Sequence, residues 1–430
     1  MSKREDITYF GAGPAALPTE VLQQSAHALV NYEGTGLGLA EHSHRSHHAA
    51  RILNDAKQNL AFFLDVPDNY EVLFMQGGGS GEFSAVVYNM VGAWVTRKQN
   101  AILEHLGVNS EEEADPDELL AKLKQAVENE LKLDYLITGS WSLKAYQEAT
   151  RLLGPEHTNV VTDSRTLNGG SFGKIADEST WNFSKDPTFI YYCDNETVDG
   201  VEFPKFPETL APNKDGLGPI VVADMSSNIL SRRIPVENFG LIFFGAQKNL
   251  GPAGVTVVII KESFLPPATP QPSPALMRKL GLPIPPVVLS YETIAKNNSL
   301  YNTLSIFDVY VAGEVLKRLI ANFPDRIDGQ EKLAAQKAEI IYTALEEHPD
   351  IYRVVPDKTV RSRMNICFRV TMTEDVEGSE KEFIRLAEQR GLTGLKGHRS
   401  VGGIRASNYN SISLDGALRL AAFLREYANH

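Results

Sequence analysis

The chain has 430 residues, of which 43% are hydrophobic and 22% are charged, as is typical of a globular protein with a substantial core. This length is sufficient for two domains. The formal net charge of −12 argues against a surface for nucleic acid or anionic membranes, although a local basic pocket could still bind a small anion.

The start of the chain gives no indication of export or membrane insertion. Residues 1–6 lack the apolar stretch of a signal peptide, and no apolar run in the chain reaches transmembrane length. The sequence therefore predicts a cytoplasmic protein without a membrane partner. The two cysteines, Cys193 and Cys367, lie in apolar runs, which favours buried reduced thiols over a disulfide framework or a cysteine-rich metal site.

Short apolar runs alternate with amphipathic segments through the first two thirds of the chain. Amphipathic patterns over residues 82–91 and 142–153 predict helices, each following one such run. The runs are rich in β-branched or aromatic residues and lack polar alternation, so they predict buried strands. The alternation predicts an α/β fold with a mostly parallel sheet. The predicted strands are residues 71–75, 135–138, 189–193, 220–223, 241–244 and 255–260.

Two segments interrupt this pattern, and a third part of the chain differs from it. Residues 104–131 are strongly charged with helical periodicity, which predicts a surface helix, and residues 266–286 are proline-rich, which predicts an irregular surface segment. From about residue 305, long helical patterns over 305–322 and 330–347 precede strand-like segments and a further helix over 379–390. The last part of the chain is therefore predicted to be a smaller α+β unit.

A glycine-rich run, residues 76–81, joins the first predicted strand to the following helix. Exposed backbone N–H groups and a helix N-terminus can bind phosphate there, and a plain glycine turn is the alternative. The spacing fits neither the dinucleotide fingerprint nor the Walker A loop. Residues 11–16 fit a loose dinucleotide pattern, but polar residues precede them where a buried strand is required, so we predict an N-terminal loop.

Four further side chains lie just beyond the ends of predicted strands: Trp141, Thr197, Asp224 and Lys248. Singly, they could be a core tryptophan, a loop hydroxyl, a helix cap and a surface lysine. Because ligand crevices of open α/β sheets lie at the carboxyl ends of strands, we expect them to meet Ser80 there. A phosphate loop, an aromatic ring, a hydroxyl, a carboxylate and an amine match the groups of pyridoxal phosphate.

Two basic clusters are candidates for anion recognition. Residues 41–48 contain four histidines, and a metal site at His44 and His48 is the alternative that Arg45 and the lack of a nearby cysteine oppose. We therefore expect no metal. Residues 396–405 place arginine and histidine among glycines, which suggests bidentate recognition of a carboxylate or phosphate; a solvated basic loop is the alternative.

Nine segments of the chain, given at the end of this paragraph, resemble segments of the phosphoserine aminotransferase family and occur in the same order. That family belongs to the class V aminotransferases of pyridoxal-phosphate fold type I. The resemblance implies a large cofactor-binding domain over residues 18–304, with surface insertions near 104–131 and 266–286. It also implies a mostly parallel seven-stranded sheet and a smaller α+β domain made from residues 1–17 and 305–430. The resembling segments are residues 10–18, 43–46, 76–79, 139–142, 195–197, 224–228, 245–249, 299–303 and 396–407.

The resemblance also implies a role for each candidate residue. Lys248 would hold the cofactor aldehyde as a Schiff base and carry protons, and Asp224 would pair with the pyridine nitrogen. Trp141 would stack on the ring, and Thr197 would contact its phenolic side. The other implied contacts are Gly79, Ser80 and Gln247 at the cofactor, chiefly its phosphate; Asn302 and Thr303 at the cofactor phosphate of a neighbouring subunit in a homodimer; Arg405 at the substrate α-carboxylate; and His44, Arg45, His398 and Arg399 at the distal anion.

The implied reaction is the reversible transfer of an amino group from L-glutamate to 3-phosphohydroxypyruvate, giving O-phospho-L-serine and 2-oxoglutarate in L-serine biosynthesis. A cysteine desulfurase or lyase would need a cysteine on a mobile loop, whereas both cysteines lie in strand-like runs. A non-catalytic cofactor-binding protein should have lost Lys248 or the arginines, and the chain retains them. A dinucleotide-dependent dehydrogenase would need the fingerprint that is missing after the first strand.

Overall fold

The structure is a computed structural model, and it describes residues 3–108, 110–213 and 218–429. Its α-helices are α1 (Thr19–Val30), α2 (His47–Leu64), α3 (Gly78–Leu106), α4 (Pro116–Glu130), α5 (Ser140–Leu153), α6 (Pro274–Lys279), α7 (Tyr291–Lys296), α8 (Ile306–Asn322), α9 (Ile327–Glu346), α10 (Val376–Gln389) and α11 (Leu414–Ala428). Its strands are β1 (Thr8–Tyr9), β2 (Tyr70–Met75), β3 (Leu133–Ile137), β4 (Thr158–Asp163), β5 (Phe189–Cys193), β6 (Asn195–Glu196), β7 (Val201–Glu202), β8 (Val221–Asp224), β9 (Leu241–Gly245), β10 (Thr256–Lys261), β11 (Tyr352–Val354), β12 (Asn365–Val370), β13 (Leu392–Thr393) and β14 (Ile404–Ser407).

Seven strands of the described chain form the central sheet, in the order β2-β10-β9-β8-β5-β3-β4. Strand β10 is antiparallel to both neighbours, and the other adjacent pairs are parallel. Every residue of β3, β5, β8 and β9 is buried, because two hydrophobic clusters cover the two faces of the sheet. Continuous apolar runs are the consequence of this double burial. The predicted α/β fold with a mostly parallel sheet is confirmed.

The six predicted strands are all present, and their ends differ from the prediction by at most two residues. The prediction missed the edge strand β4, whose sequence is Thr-Asn-Val-Val-Thr-Asp. Among its residues only Val161 is fully buried. An edge strand needs little apolar surface, so a search for continuous apolar runs does not detect it.

The predicted helix over residues 82–91 is much longer in the structure, since α3 spans 29 residues and ends at Gly107 in the left-handed conformation. Consequently, the predicted insertion over 104–131 contains the end of α3 as well as α4; residue 109 lies outside the described residues. Helix α4 begins at the capping residue Asp115 and buries Leu119 and Leu123 in the core, so it is amphipathic rather than purely a surface helix. The proline-rich segment contains the short helix α6.

A separate hydrophobic cluster lies in the last part of the chain. The antiparallel sheet β11-β12-β14 packs there with α9, α10 and α11. The N-terminal segment joins it, because Phe10 is buried in this cluster and β1 pairs with β13 in parallel. This arrangement agrees with a smaller α+β unit that includes the N-terminal residues, and the predicted domain boundaries stay a prediction. Among the described residues, no helix combines the length and apolar character needed to cross a membrane.

Lys337 is an unusual member of this second unit, since its side chain is fully buried on α9. Its Nζ donates to the carbonyl oxygens of Tyr409 at 2.9 Å and Ile412 at 2.8 Å. Burial lowers the pKa of Lys337 to about 7. The two acceptors suit a neutral amine, which has two N–H donors.

This lysine should make stability depend on pH. Its folded pKa lies below the value of about 10.4 in an unfolded chain, so between about pH 7 and pH 10 the unfolded chain binds more protons. The free energy of unfolding should therefore rise with pH, with a contribution of up to about 1.4 kcal/mol per pH unit from this group. Urea unfolding at about pH 7, 8 and 9 should give a steeper rise for the wild type than for Lys337→Met. Equal slopes would contradict the assignment.

Candidate active site

A cavity of about 490 Å³ lies where the parallel strands of the central sheet end. Its walls come from the glycine-rich run, the N-terminus of α5, the turn between β6 and β7, and the segments after β8 and β9, together with residues of the smaller unit. Side chains that are far apart in sequence therefore face one space. The predicted site residues that line it are Gly79, Ser80, Trp141, Thr197, Asp224, Gln247, Lys248, His398 and Arg405.

Lys248 follows β9 and extends into the cavity, where its Nζ donates to the hydroxyl of Thr197 at 2.9 Å. Burial lowers the pKa of Lys248, and the nearby carboxylate of Asp224 opposes that shift only in part. A lower pKa increases the neutral fraction of the amine, which is the nucleophilic and proton-accepting form. The geometry therefore gives Lys248 the properties of an active-site amine.

Asp224 is the last residue of β8, and its side chain is buried. One oxygen, Oδ1, accepts the backbone N–H of Ser226 at 2.8 Å. The other, Oδ2, faces the glycine-rich run, because a Cβ added at Gly79 would lie 3.7 Å from it. Burial raises the pKa of Asp224, although the Ser226 bonds and the charge of Lys248 oppose the shift. A protonated ring nitrogen would stabilise this carboxylate as an ion pair.

The glycine-rich run forms the start of α3. Gly77 and Gly78 have φ values of 127° and 64°, which glycine adopts far more easily than other residues. The N–H of Gly78 donates to the hydroxyl of Thr256 at 2.9 Å, and no side chain caps the helix at Gly77. The N-terminus of a 29-residue helix thus opens towards the cavity at Gly79 and Ser80. Such a helix end stabilises a bound phosphate.

Trp141 presents an aromatic ring to this cavity. Its ring centroid lies 6.4 Å from that of Phe83, and the ammonium of Lys144 lies 4.2 Å from the indole centroid. The indole Nε1 is buried without a hydrogen-bond partner in the described chain. An unpaired buried donor is costly, so a ligand with an acceptor near the ring is expected here.

Glu196 is a structural residue of this site that the sequence did not single out. Its carboxylate accepts the backbone N–H groups of Trp141 at 2.8 Å and Ser142 at 2.9 Å, so it caps the helix that carries the indole. Burial and the charge of Asp199 raise the pKa of Glu196. A Cβ at Gly139 would lie 2.3 Å from Cδ of Glu196, so this contact requires glycine. The only sequence indication was an acidic residue next to Thr197.

Arg405 on β14 brings the smaller unit into contact with the cavity. Its Nη1 donates to the carbonyl oxygen of Thr197 at 3.1 Å, and its Nε is buried without a partner in the described chain. His398 also lines the cavity, and its Nδ1 lies 2.6 Å from the hydroxyl of Ser400. Burial and the nearby Arg405, Lys144 and Arg399 cations lower the pKa of His398. These groups favour an anionic ligand.

The single chain does not bring every predicted residue to this cavity. Arg45, Thr303 and Arg399 are exposed, whereas His44 and Asn302 are partly buried. Of these residues, Asn302 contacts the glycine-rich run, since its Nδ2 donates to Oε1 of Gln76 at 2.5 Å. The predicted residues outside the lining of the cavity are His44, Arg45, Asn302, Thr303 and Arg399.

Among the described residues, neither the cysteines nor a metal-binding cluster offers a competing centre. Cys193 and Cys367 are buried and free, and burial raises the pKa of both thiols, that of Cys367 to about 12. A thiol with a raised pKa is a poor nucleophile, which opposes cysteine-based chemistry. Within residues 3–108, 110–213 and 218–429, no three His, Cys, Asp or Glu side chains are grouped so that they could hold a metal ion.

The residues at this cavity fit pyridoxal phosphate. The volume is within the range of small-molecule sites. The helix end at Gly79 suits the phosphate, and the buried Asp224 carboxylate suits a protonated ring nitrogen. The unpartnered Nε1 of Trp141 provides a hydrogen-bond donor for the cofactor, and Lys248 provides an amine for its aldehyde.

Comparison with known proteins gives full-length matches. The Aminotransferase class-V family matches residues 7–117 and 120–420. The phosphoserine aminotransferase of Saccharomyces cerevisiae is 41% identical over 431 residues, which cover 99% of this chain and 98% of that protein. The structure of phosphoserine aminotransferase from Bacillus circulans subsp. alkalophilus has a TM-score of 0.79 at 34% identity and covers 98% of both chains. The PLP-bound structure of phosphoserine aminotransferase from Trichomonas vaginalis has a TM-score of 0.76 at 31% identity, covering 97% of this chain and 99% of that one.

The Glu196 cap should affect cofactor binding. Above about pH 8, the value to which its pKa is raised, Glu196 is a carboxylate; Glu196→Gln then keeps the shape of the side chain but retains only one acceptor oxygen for two N–H groups, which costs about 1–2 kcal/mol. We expect the dissociation constant of pyridoxal phosphate, measured by equilibrium dialysis, to rise about tenfold. Asp375→Asn is the matched control, because Asp375 caps the exposed end of α10 and lines no part of this cavity. Equal affinities in both variants would show that the Glu196 cap does not support the site.

Proposed function

The chain belongs to the class-V aminotransferases, and on that basis we propose that it transfers the amino group of L-glutamate to 3-phosphohydroxypyruvate. The products are O-phospho-L-serine and 2-oxoglutarate, and the reaction is reversible. Central support comes from Lys248, whose amine lies in a cavity with the Asp224 carboxylate, the Trp141 ring and the open end of α3. The relatives named phosphoserine aminotransferase support this choice of substrate.

The enzyme depends on pyridoxal phosphate, whose aldehyde takes up the amino group and whose ring delocalises the electrons released at the substrate Cα. Asp224 would hold the ring nitrogen in its protonated state, and Trp141 would hold the plane of the ring. Gly79, Ser80 and Gln247 would hold the cofactor, chiefly at its phosphate. Each of these roles remains a proposal about the residues of this chain.

Lys248 would act twice. Its neutral amine would hold the cofactor covalently, and after release it would move a proton from the substrate Cα with Nζ as the base. The lowered pKa of Lys248 suits both tasks, since a fully protonated amine can neither attack nor accept a proton. The hydroxyl of Thr197, 2.9 Å from Nζ, would orient the amine.

The two substrates share an α-carboxylate and differ at the other end. Arg405 would bind the α-carboxylate, because its Nε is buried and unpartnered beside the cavity. His398, together with His44, Arg45 and Arg399, would bind the γ-carboxylate of glutamate or the phosphate of the keto acid. Charge-assisted bonds of this kind contribute about 1.5–3 kcal/mol each.

We also propose a homodimer with shared sites. In the single chain, His44, Arg45 and Thr303 do not line the cavity, so a second copy would have to supply some of these groups. Asn302 and Thr303 would reach the cofactor phosphate of the neighbouring subunit. The expected cytoplasmic location stays a prediction.

Lys248→Ala should abolish turnover, since Lys248 is the only lysine among the described residues that line the cavity. The loss of covalent attachment should also remove the visible absorbance band of the bound cofactor. Activity with phosphoserine and 2-oxoglutarate, together with the absorption spectrum, measures both effects. A variant with normal turnover and a normal band would refute the central assignment.

Arg399→Ala should weaken catalysis selectively for the substrate with a distal anion. We expect kcat/KM for 3-phosphohydroxypyruvate to fall at least about tenfold, whereas kcat/KM for an uncharged keto acid such as pyruvate should change little. Equal losses on both substrates would reject the distal-anion role.

Mixing two inactive variants tests the shared sites. Thr303→Asp would repel the phosphate bound by the neighbour, while Lys248→Ala disables only its own site. Half of the randomly mixed dimers carry one intact site of two, so activity should recover to about a quarter of the wild-type value. Lys248→Ala mixed with Asp224→Ala is the control and should give no recovery. If the first mixture also stays inactive, Thr303 does not act across subunits.

A further inference from the structure

A second cavity, of about 670 Å³, adjoins the cavity that contains Lys248. Val198, His398 and Arg405 line both spaces, so these residues form the wall between them. A molecule in the second cavity would therefore lie next to the His398 imidazole and the Arg405 guanidinium, which also line the reaction cavity. None of the roles assigned above uses this space.

One wall of the second cavity is a cationic face of the small antiparallel sheet. In the register of β11 with β12, Arg353 lies directly opposite Arg369. In the register of β12 with β14, Arg405 lies opposite Cys367. Alternate residues of a strand point to the same face, so Cys367 and Arg369 share a face, and their partners share it too. All four residues line the cavity.

The charges on this face are only partly neutralised. Arg369 forms an ion pair with Glu380, whereas the exposed side chain of Arg353 has no ion-pair or hydrogen-bond partner in the described part of the chain. Like charges directly opposite each other on neighbouring strands are destabilising. The opposing acidic group is Asp199, which lines the cavity and accepts the N–H of Ser140 at 2.7 Å. An anion between the arginines would reduce their repulsion.

The loop over residues 397–403 lines the second cavity and contains His398. The loop that contains it is closed at its base, where the N–H of Gly397 donates to the carbonyl oxygen of Gly403 at 2.9 Å. Gly403 has a φ of 77°, and a Cβ there would lie 3.0 Å from Cδ of Arg369. The Arg369 side chain thus packs directly against the loop that separates the two cavities. Arg369 of the cationic face therefore lies against the loop that carries His398 and Arg399, the proposed distal-anion residues.

We propose that the second cavity is an anion-binding vestibule, in which Arg353 and Arg369 bind the phosphate or distal carboxylate of a substrate before it enters the reaction cavity. This inference rests on the proposed function for the identity of the substrate. The chain carries a net charge of −12, which would repel dianions, so a local cationic path increases their capture rate. The vestibule governs capture rather than the chemical step.

Charge reversal at Arg353 tests the vestibule. Arg353→Glu should lower kcat/KM for 3-phosphohydroxypyruvate about tenfold at low ionic strength, with kcat changed less than about twofold, and the difference should shrink as salt is added. Arg278→Glu on α6 is the matched control, because it makes the same charge change at an exposed residue that lines neither cavity. Arg353→Lys keeps the charge and should retain most of the wild-type kcat/KM. Equal kcat/KM for Arg353→Glu and Arg278→Glu would overturn the proposal.

Binding of inorganic phosphate separates this inference from the proposed function. If the wild-type holoenzyme does not convert 3-phosphohydroxypyruvate, the proposed function fails, and the vestibule is still testable by equilibrium dialysis with inorganic phosphate. Arg353→Glu should then bind phosphate at least about fivefold more weakly than Arg278→Glu. The same phosphate affinity in both holoenzymes would refute the anion site independently of turnover.

Discussion

The geometry of the site depends on the hydrogen bonds made by the residues at the turn between β6 and β7. Within the four residues 196–199, the carboxylates of Glu196 and Asp199 cap α5, the hydroxyl of Thr197 contacts the Lys248 amine, and the Thr197 carbonyl accepts a hydrogen bond from the Arg405 guanidinium. The turn therefore connects the helix that carries the Trp141 ring, the Lys248 amine and the Arg405 guanidinium, which come from three distant parts of the chain. Its buried carboxylates are tolerated because backbone N–H groups satisfy them.

The strands near the site could be predicted because a strand that is buried on both faces has a continuous apolar run in its sequence. β5 was predicted at its observed ends, and Asp224 and Lys248 could be placed because Asp224 ends such a strand and Lys248 lies just beyond another. The edge strand β4 was missed since it is mostly polar and only partly buried. The true start of α3 was missed because glycines there read as a loop, although the open helix end is what makes them suitable for phosphate.

Other features depend on contacts between residues that are distant in the sequence, and no local sequence pattern indicates such contacts. Glu196 caps a helix 55 residues earlier in the chain, and the opposition of Arg353 and Arg369 depends on the register of two strands. The proposed roles of His44, Arg45 and Thr303 would depend on a second subunit, because these residues do not line the cavity of the single chain. The sequence thus identified the residue types of the site, whereas positioning and access follow from long-range packing.

The close approach of Glu196 to the backbone at Gly139 constrains how this protein can diversify. Any side chain at position 139 would occupy the space of the carboxylate, so a larger residue there is compatible only with a shorter one at position 196. A shorter residue would in turn leave the helix cap unmade. In a mutational library, a residue larger than glycine at position 139 should therefore appear only together with a shorter residue at position 196.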